Sequence, residues 1–254
     1  MPAARLPALV LLVLLAVPAA AAPLTVAVGI PPLKYLVERI GGAQVAVIVM
    51  ADGGASPATW EPTARDIVRL AAARLYIDLR LPFERAWVPR MLAQHPDLAR
   101  VDCTGGADVR ADPHLWTSPR LAGDIADCIA GALTAARPAG AGDFARNLAT
   151  LRADLAHLDA EIRTLAERSG QRAFLVHHAS WGHFARDYGL KQLAIEQDGH
   201  EPEPRQLAEL IDEARRRDLR VVFTEARRAS RSATVIAESL GARIETVDPL
   251  AEDY

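Results

Sequence analysis

Histidine side chains cluster in one short part of this chain, between residues 174 and 189. His177 and His178 end an apolar run, a turn of small residues follows, and His183 lies in an amphipathic segment. This order predicts a strand, a loop and a helix, with two imidazoles at the carboxyl end of the strand. Neutral imidazole is a common ligand of transition metals. We expect His178 to be a metal ligand, His177 a neighbour that stays an alternative ligand, and His183 to face away.

Three further polar side chains are predicted to lie at or beyond strand ends. His114 is in a loop after the last predicted strand of the first half, Glu225 directly follows a buried strand, and Asp248 ends the final strand. Imidazoles and a carboxylate that converge from separate loops suit a divalent transition metal, zinc most readily. Spacing alone leaves other interpretations open, because Asp248 precedes a proline and is equally a turn former. His114 follows a proline and is equally a structural histidine.

Strand and helix patterns alternate through both halves of the chain, which favours parallel sheets. The sequence therefore predicts an α/β fold of two small parallel-sheet lobes joined by a long rigid helix, with the metal site in the interlobe cleft. The predicted strands are 24–29, 45–50, 75–79, 99–103, 173–176, 192–196, 219–224 and 242–247. The predicted helices are 31–40, 61–73, 83–93, 119–136, 143–168, 181–188, 204–217 and 230–240.

The first residues have the composition of an export signal. Arg5 precedes an apolar run, and small residues follow at 18–22. The run is too short to span a bilayer, so we expect a cleaved signal peptide at 1–22 and an exported protein. The remaining chain of about 230 residues suits one large domain or two small ones. We divide it into an N-terminal α/β lobe at 23–140, a linker helix at 141–169 and a C-terminal α/β lobe at 170–254.

Charge and cysteine content narrow the class of protein further. The formal net charge is −3, from 29 basic and 32 acidic side chains. Because the chain is not strongly basic, we expect no nucleic-acid partner. We also expect a monomer. Cys103 and Cys128 form one disulfide or remain two buried thiols, and the sequence leaves both open.

Four motifs together resemble the periplasmic solute-binding proteins of zinc and manganese ABC transporters, the cluster A-I or TroA-like family. Residues 112–116 read Asp-Pro-His-Leu-Trp, and residues 178–182 read His-Ala-Ser-Trp-Gly, with Tyr-Gly-Leu at 188–190. Residues 199–204 read Gly-His-Glu-Pro-Glu-Pro, and residues 248–250 read Asp-Pro-Leu. The resemblance covers nearly the whole chain after the signal peptide. It implies two α/β lobes joined by a rigid helix, with the metal bound between them.

Carried over residue by residue, the resemblance implies that His114, His178 and Asp248 are the metal ligands. The family has a further histidine in its first loop, within Pro-His-Thr-(Tyr/Phe)-Glu-Pro. This chain reads Pro-Ala-Thr-Trp-Glu-Pro at 57–62, so Ala58 stands where that histidine would be. A methyl group cannot bind metal, which leaves an open coordination position. Glu61 is an alternative ligand, although a carboxylate there also favours the start of the next helix. We expect Glu225 to orient a ligand rather than to bind metal.

Two more departures from the family pattern concern loops and the end of the chain. Residues 104–111 contain no histidine, so the family's histidine-rich zinc-capturing loop is not indicated. The family usually continues past Asp-Pro-Leu with a closing helix, whereas this chain ends at Tyr254. We therefore expect the surface of the second lobe to be less covered.

The resemblance implies a protein that captures zinc or manganese and delivers it to a membrane ABC permease. Histidine ligation favours zinc, since manganese prefers more oxygen ligands. The open position at Ala58 leaves an alternative, a receptor for a metal chelate or a periplasmic metallochaperone. Three ligands plus water is also the pattern of a catalytic zinc, which makes an exported zinc hydrolase a third hypothesis. No HExxH helix or nucleophile elbow occurs, so we do not expect an enzyme.

Overall fold

The computed structural model describes residues 22–52, 56–196, 199–225 and 230–253. The expected signal peptide lies outside the described residues except for Ala22. The described chain forms two four-stranded sheets, and every strand pair in them is parallel. The α/β fold of two parallel-sheet lobes and a long helix that the sequence predicts is therefore confirmed.

The described residues of the first lobe form four strands and four helices. Its strands run in the order β2-β1-β3-β4 across the sheet. The strands are β1 (Leu24–Val28), β2 (Val45–Val49), β3 (Leu75–Asp78) and β4 (Ala99–Asp102). The helices are α1 (Pro31–Gly41), α2 (Ala64–Leu70), α3 (Pro82–Gln94) and α4 (Pro119–Ala136).

The second lobe repeats this topology, since its strands run in the order β6-β5-β7-β8. The strands are β5 (Ala173–Val176), β6 (Lys191–Ala194), β7 (Val221–Thr224) and β8 (Arg243–Thr246). Its helices are α6 (Gly182–Asp187), α7 (Pro204–Arg216) and α8 (Arg231–Leu240). In both lobes the first strand is flanked by the second and third, so the connections leave it in opposite directions. Ligands bind at such switch points, at the carboxyl ends of the strands.

The long helix α5 (Ala141–Ser169) joins the lobes but packs mainly on the first one. Phe144, Leu151 and Leu155 are buried and belong to the core of the first lobe, where α5 contacts α1 and α4. The apolar stripe then emerges from that core, because Leu165 is 63% exposed. The helix ends at Gly170, whose φ of +68° is the left-handed conformation that glycine adopts at a helix end.

Helix α2 is shorter than the sequence indicates. The predicted helix covers 61–73, whereas α2 begins at Ala64 and ends at Leu70. Thr63 caps it, since the Thr63 hydroxyl accepts the Asp66 N–H and the Asp66 carboxylate accepts the Thr63 N–H. This reciprocal capping box starts the helix after Pro62. Glu61 therefore precedes the helix and does not stabilise its first turn.

Cys103 and Cys128 form a disulfide, with their Cα atoms 5.6 Å apart. Cys103 follows β4 at the edge of the first sheet, and Cys128 lies in α4. The bond therefore links the start of the loop region that carries His114 to α4, the helix that follows this region. In the described ranges, no helix combines the length and the apolar character needed to cross a membrane.

Candidate metal centre

His114 is held in the first lobe by the aspartate two residues before it. Its backbone N–H and its ring Nδ1 both donate to the same carboxylate oxygen of Asp112, at 3.0 and 2.9 Å. The ring also packs edge-on against Trp116, with the centroids 5.3 Å apart. The sequence Asp-Pro-His therefore folds into a local turn that orients the imidazole. Because Nδ1 carries the donated proton, Nε2 keeps its lone pair.

His178 is held in the second lobe in the same chemical way, but by a residue from another strand. It lies two positions after β5, and Glu196 lies two positions after β6. The register pairs Val176 with Ala194, so both side chains follow neighbouring strand ends. Nδ1 of His178 lies 2.8 Å from the Glu196 carboxylate and donates to it. The lone pair of His178 is again on Nε2.

The two imidazoles meet across the boundary between the lobes. The ring centroids of His114 and His178 are 5.3 Å apart, and the ring planes are nearly perpendicular. Two imidazoles that bind one zinc ion through Nε2, at Zn–N distances of about 2.0–2.1 Å and a tetrahedral angle, have centroids about 5 Å apart. The His114–His178 pair has this spacing.

Asp248, the third residue expected to bind metal, is exposed and has a different local partner. Its carboxylate accepts the backbone N–H of Leu250 at 2.9 Å. It borders a cavity of about 210 Å³ that Trp116 and Trp181 also line. Within the described residues, no three side chains of His, Cys, Asp or Glu are grouped so that they could hold one ion. The structure thus brings two of the three expected ligands together.

The other two histidines of the cluster occupy buried positions. His183 lies in α6, and its Nε2 donates to the carbonyl oxygen of Asp112 at 3.1 Å. His177 is 3% exposed, and its Nε2 lies 3.5 Å from Glu201 and 3.8 Å from Glu196. His183 thus connects the second lobe to the loop of His114, while His177 is a neighbour of the carboxylate that holds His178.

Two further predictions concern the open position at Ala58, for which Glu61 is an alternative ligand, and the orienting role of Glu225. Ala58 is exposed, and its N–H approaches the Ser56 hydroxyl at 3.4 Å. Glu61 is exposed in the same loop. Glu225 follows β7, and the carboxylate hydrogen-bonded to His178 Nδ1 is that of Glu196. The orienting role that the sequence suggests for Glu225 is therefore filled at His178 by Glu196.

Asp112 is shared between the two lobes. One carboxylate oxygen accepts from His114, and the other lies 3.7 Å from Nε2 of His183. Burial raises the pKa of the Asp112 carboxyl, but hydrogen bonds from His114 and the nearby imidazoles outweigh burial and lower that pKa. A Cβ atom at Gly182 would lie 2.4 Å from the same carboxylate, so only glycine permits this approach.

Two carboxylates that accept hydrogen bonds from His114 and His178, those of Asp112 and Glu196, are absent from the residues that the sequence indicates. Asp112 lies two residues before His114 in the Asp-Pro-His motif, so their closeness in sequence is a signal for this contact. Glu196 is 18 residues from His178, and only the parallel register of β5 and β6 connects them. The sequence indicates only that His178 ends an apolar run and that Glu196 ends the next predicted strand.

Further hydrogen bonds join the loop of His114 to the second lobe. The Trp116 indole N–H donates to the carbonyl oxygen of Pro249 at 2.6 Å. The Thr117 hydroxyl lies 3.1 Å from the carbonyl oxygen of Ser180 and donates to it. The Ser118 hydroxyl donates to the carboxylate of Asp187. These contacts hold the two histidine-bearing loops in one relative position.

Most of this chain matches a known protein family. Residues 26–254 match the family described as zinc-uptake complex component A, periplasmic (ZnuA). A putative metal-binding protein of Chlamydia muridarum is 30% identical over 235 residues, which are 90% of this chain and 85% of the relative. The high-affinity zinc uptake system protein ZnuA of Bacillus subtilis is 25% identical over 244 residues, 86% of this chain and 76% of the relative.

Solved structures show the same fold. A crystal structure of ZnuA has a TM-score of 0.86 and 36% sequence identity, and the match covers 91% of this chain and 92% of that one. The laminin-binding protein Lmb of Streptococcus agalactiae, described as bifunctional with adhesin and metal transporting activity, has a TM-score of 0.81 and 26% identity. That match covers 89% of this chain and 90% of Lmb.

Proposed function

This chain belongs to the family of periplasmic zinc-uptake complex component A, and on that premise we propose that it is an exported solute-binding protein that captures zinc and delivers it to an ABC permease. The observation that carries the proposal is the His114–His178 pair. One imidazole comes from each lobe, each Nδ1 is hydrogen-bonded to a carboxylate, and the centroids are 5.3 Å apart. Two Nε2 atoms are thereby available for one ion.

We propose His114, His178 and Asp248 as the protein ligands of the metal. In the structure the Asp248 carboxylate accepts a hydrogen bond from the Leu250 N–H. It completes the ligand set when its side chain turns away from that N–H. Water fills the remaining position beside Ala58. Two imidazoles and one carboxylate favour zinc over manganese, since manganese prefers oxygen ligands. Manganese should therefore bind with lower affinity than zinc.

The proposal extends to the form and place of the mature protein. It includes a signal peptide at 1–22, lobes at 23–140 and 170–254, and a linker helix at 141–169. The family is one of periplasmic solute-binding proteins and not of enzymes. We expect a periplasmic monomer without nucleic-acid partners and without hydrolase activity. Membership of this family favours metal delivery over a metal-chelate receptor, a metallochaperone or a zinc hydrolase.

Isothermal titration of the metal-free protein with zinc tests the site. We expect about one equivalent to bind, and we expect His178→Ala to weaken binding by about two orders of magnitude or more, because too few protein ligands remain. His157→Ala is the matched control, since His157 is an exposed histidine on α5 that pairs with Glu161. Undiminished binding by the His178 variant would remove His178 from the site and with it the observation that carries the proposal.

A further inference from the structure

The carboxylate of Glu196 has a position that the strand register defines. Strands β5 and β6 are paired as far as Val176 and Ala194. The pairing then continues past the strands, since the N–H of Ile195 donates to the carbonyl of Val176 and the N–H of Glu196 to that of His177, both at 2.9 Å. The backbone of Glu196 is thereby fixed beside the two histidines.

The Glu196 side chain is also fixed. It is only 5% exposed, and its two oxygens face different imidazoles. One oxygen accepts from Nδ1 of His178 at 2.8 Å, and the other lies 3.8 Å from Nε2 of buried His177. A buried carboxylate requires polar partners, because removal from water is costly unless hydrogen bonds replace hydration. Glu196 therefore has little freedom to turn away from His178.

We propose that Glu196 is the positioning residue for His178. It holds the imidazole in the tautomer that carries its proton on Nδ1, and so keeps Nε2 unprotonated for the metal. A free imidazole samples both tautomers and several ring orientations, whereas a hydrogen bond from Nδ1 to a fixed acceptor selects one. The use of Nε2 rests on the proposed function, while the tautomer is a property of the protein without metal.

The first experiment is a long-range ¹⁵N–¹H NMR spectrum of the metal-free protein, with His178 assigned by comparison with His178→Ala. We expect wild-type His178 to be the Nδ1–H tautomer. In Glu196→Ala we expect signal to move toward the Nε2–H tautomer, since the acceptor that selects Nδ1–H is removed. A wild-type spectrum with the His178 proton on Nε2 would overturn the proposal. This wild-type measurement does not require Glu196→Ala to fold.

The second experiment is zinc titration of the same variants. Loss of a partner that orients a metal-ligating histidine typically costs 10–100-fold in affinity, so we expect a loss of about that size in Glu196→Ala. Glu209→Gln is the control, because Glu209 is an exposed carboxylate on α7 that pairs with Arg205. We expect neither the tautomer nor the affinity to change in that control.

The outcomes separate this inference from the proposed function. A tautomer change in Glu196→Ala without zinc binding by the wild type supports the positioning role and contradicts zinc capture. Zinc binding by the wild type with an unchanged tautomer and affinity in Glu196→Ala contradicts the positioning role and leaves zinc capture standing. Glu196→Asp, whose shorter side chain withdraws the acceptor, replaces the alanine variant if that variant does not fold.

Discussion

At the scale of single residues, the candidate site consists of two imidazoles with matching chemistry and different origins. Asp112 orients His114 from within one motif, and Glu196 orients His178 from the neighbouring strand. Each carboxylate accepts a hydrogen bond from Nδ1–H, so each histidine offers the same ring atom, Nε2. Second partners of this kind raise the basicity of the ligand as well as fixing its direction.

The residue that most limits affinity is predicted to be Ala58. Its methyl group stands where the family pattern has a histidine, and it is exposed in the loop before α2. We expect Ala58→His to supply a further imidazole and to raise zinc affinity by about tenfold or more, since structural zinc sites are usually four-coordinate. Competition titration with a zinc-binding dye measures the change.

Ala58→Gln is the control for that prediction, because glutamine adds a polar side chain of similar length without an imidazole. We expect its affinity to match that of the wild type. Equal affinities of all three proteins would mean that this loop does not reach the metal.

At the scale of elements, the turn between β3 and α3 depends on a buried carboxyl group. Glu84 in the first turn of α3 accepts the N–H groups of Leu79 and Leu81 at 3.1 and 2.9 Å, and the Tyr76 hydroxyl at 3.0 Å. Burial raises the pKa of Glu84 well above its ordinary value, and the charge of neighbouring Asp78 raises it further. The protonated form of Glu84 is therefore the one that suits the folded state.

This direction sets a pH dependence of stability. A carboxyl whose pKa is raised on folding contributes stability fully below its unfolded pKa, about 4.3, and loses it as pH rises toward the folded value. We expect Glu84→Gln, which cannot ionise, to gain stability relative to the wild type as the pH rises above about 4.3. Urea denaturation at several pH values measures the difference.

The exposed Glu209→Gln variant again serves as the control and should show no such trend. If the free energies of unfolding of Glu84→Gln and the wild type ran parallel across that range, the raised pKa of Glu84 would be contradicted.

At the scale of the whole molecule, the two lobes have separate cores and are held together by polar contacts beside the site. Asp187 on α6 of the second lobe accepts from the Ser118 hydroxyl and pairs with Arg120, both at the start of α4 in the first lobe. Arg163 of the long helix donates to the carbonyl oxygen of the same aspartate at 3.4 Å. One residue therefore connects α4, α5 and α6.

We expect Asp187→Ala to lower the free energy of unfolding by about 1–3 kcal/mol, because the buried Ser118 hydroxyl loses its acceptor. Zinc affinity should also fall, since part of the binding free energy would then be used to bring the lobes together. Chemical denaturation and zinc titration measure the two effects.

Asp212→Ala is the matched control, as Asp212 pairs with Arg215 of its own helix, on the exposed face of α7. Its loss should change stability by no more than about 0.5 kcal/mol. Similar values for the two variants would show that Asp187 does not couple the lobes.

The sequence by itself determined the elements and the fold class. Alternating apolar runs and amphipathic segments predicted the strands and most helices, because burial of one face depends on residue spacing along the chain. Gly170 marked the end of the long helix for the same local reason. The Asp-Pro-His and His-Ala-Ser-Trp-Gly motifs also indicated His114 and His178, through their resemblance to the family pattern.

Only the tertiary structure decided which of these groups meet. The Cys103–Cys128 bond, the Glu196–His178 hydrogen bond and the contact between Trp116 and Pro249, 133 residues apart, depend on strand register and lobe packing. Residue spacing along the chain does not predict such distant pairs, because many tertiary packings are compatible with the same local pattern. The start of α2 also differs from the sequence prediction. The helical pattern begins at residue 61, but reciprocal capping by Thr63 and Asp66 starts the helix at Ala64.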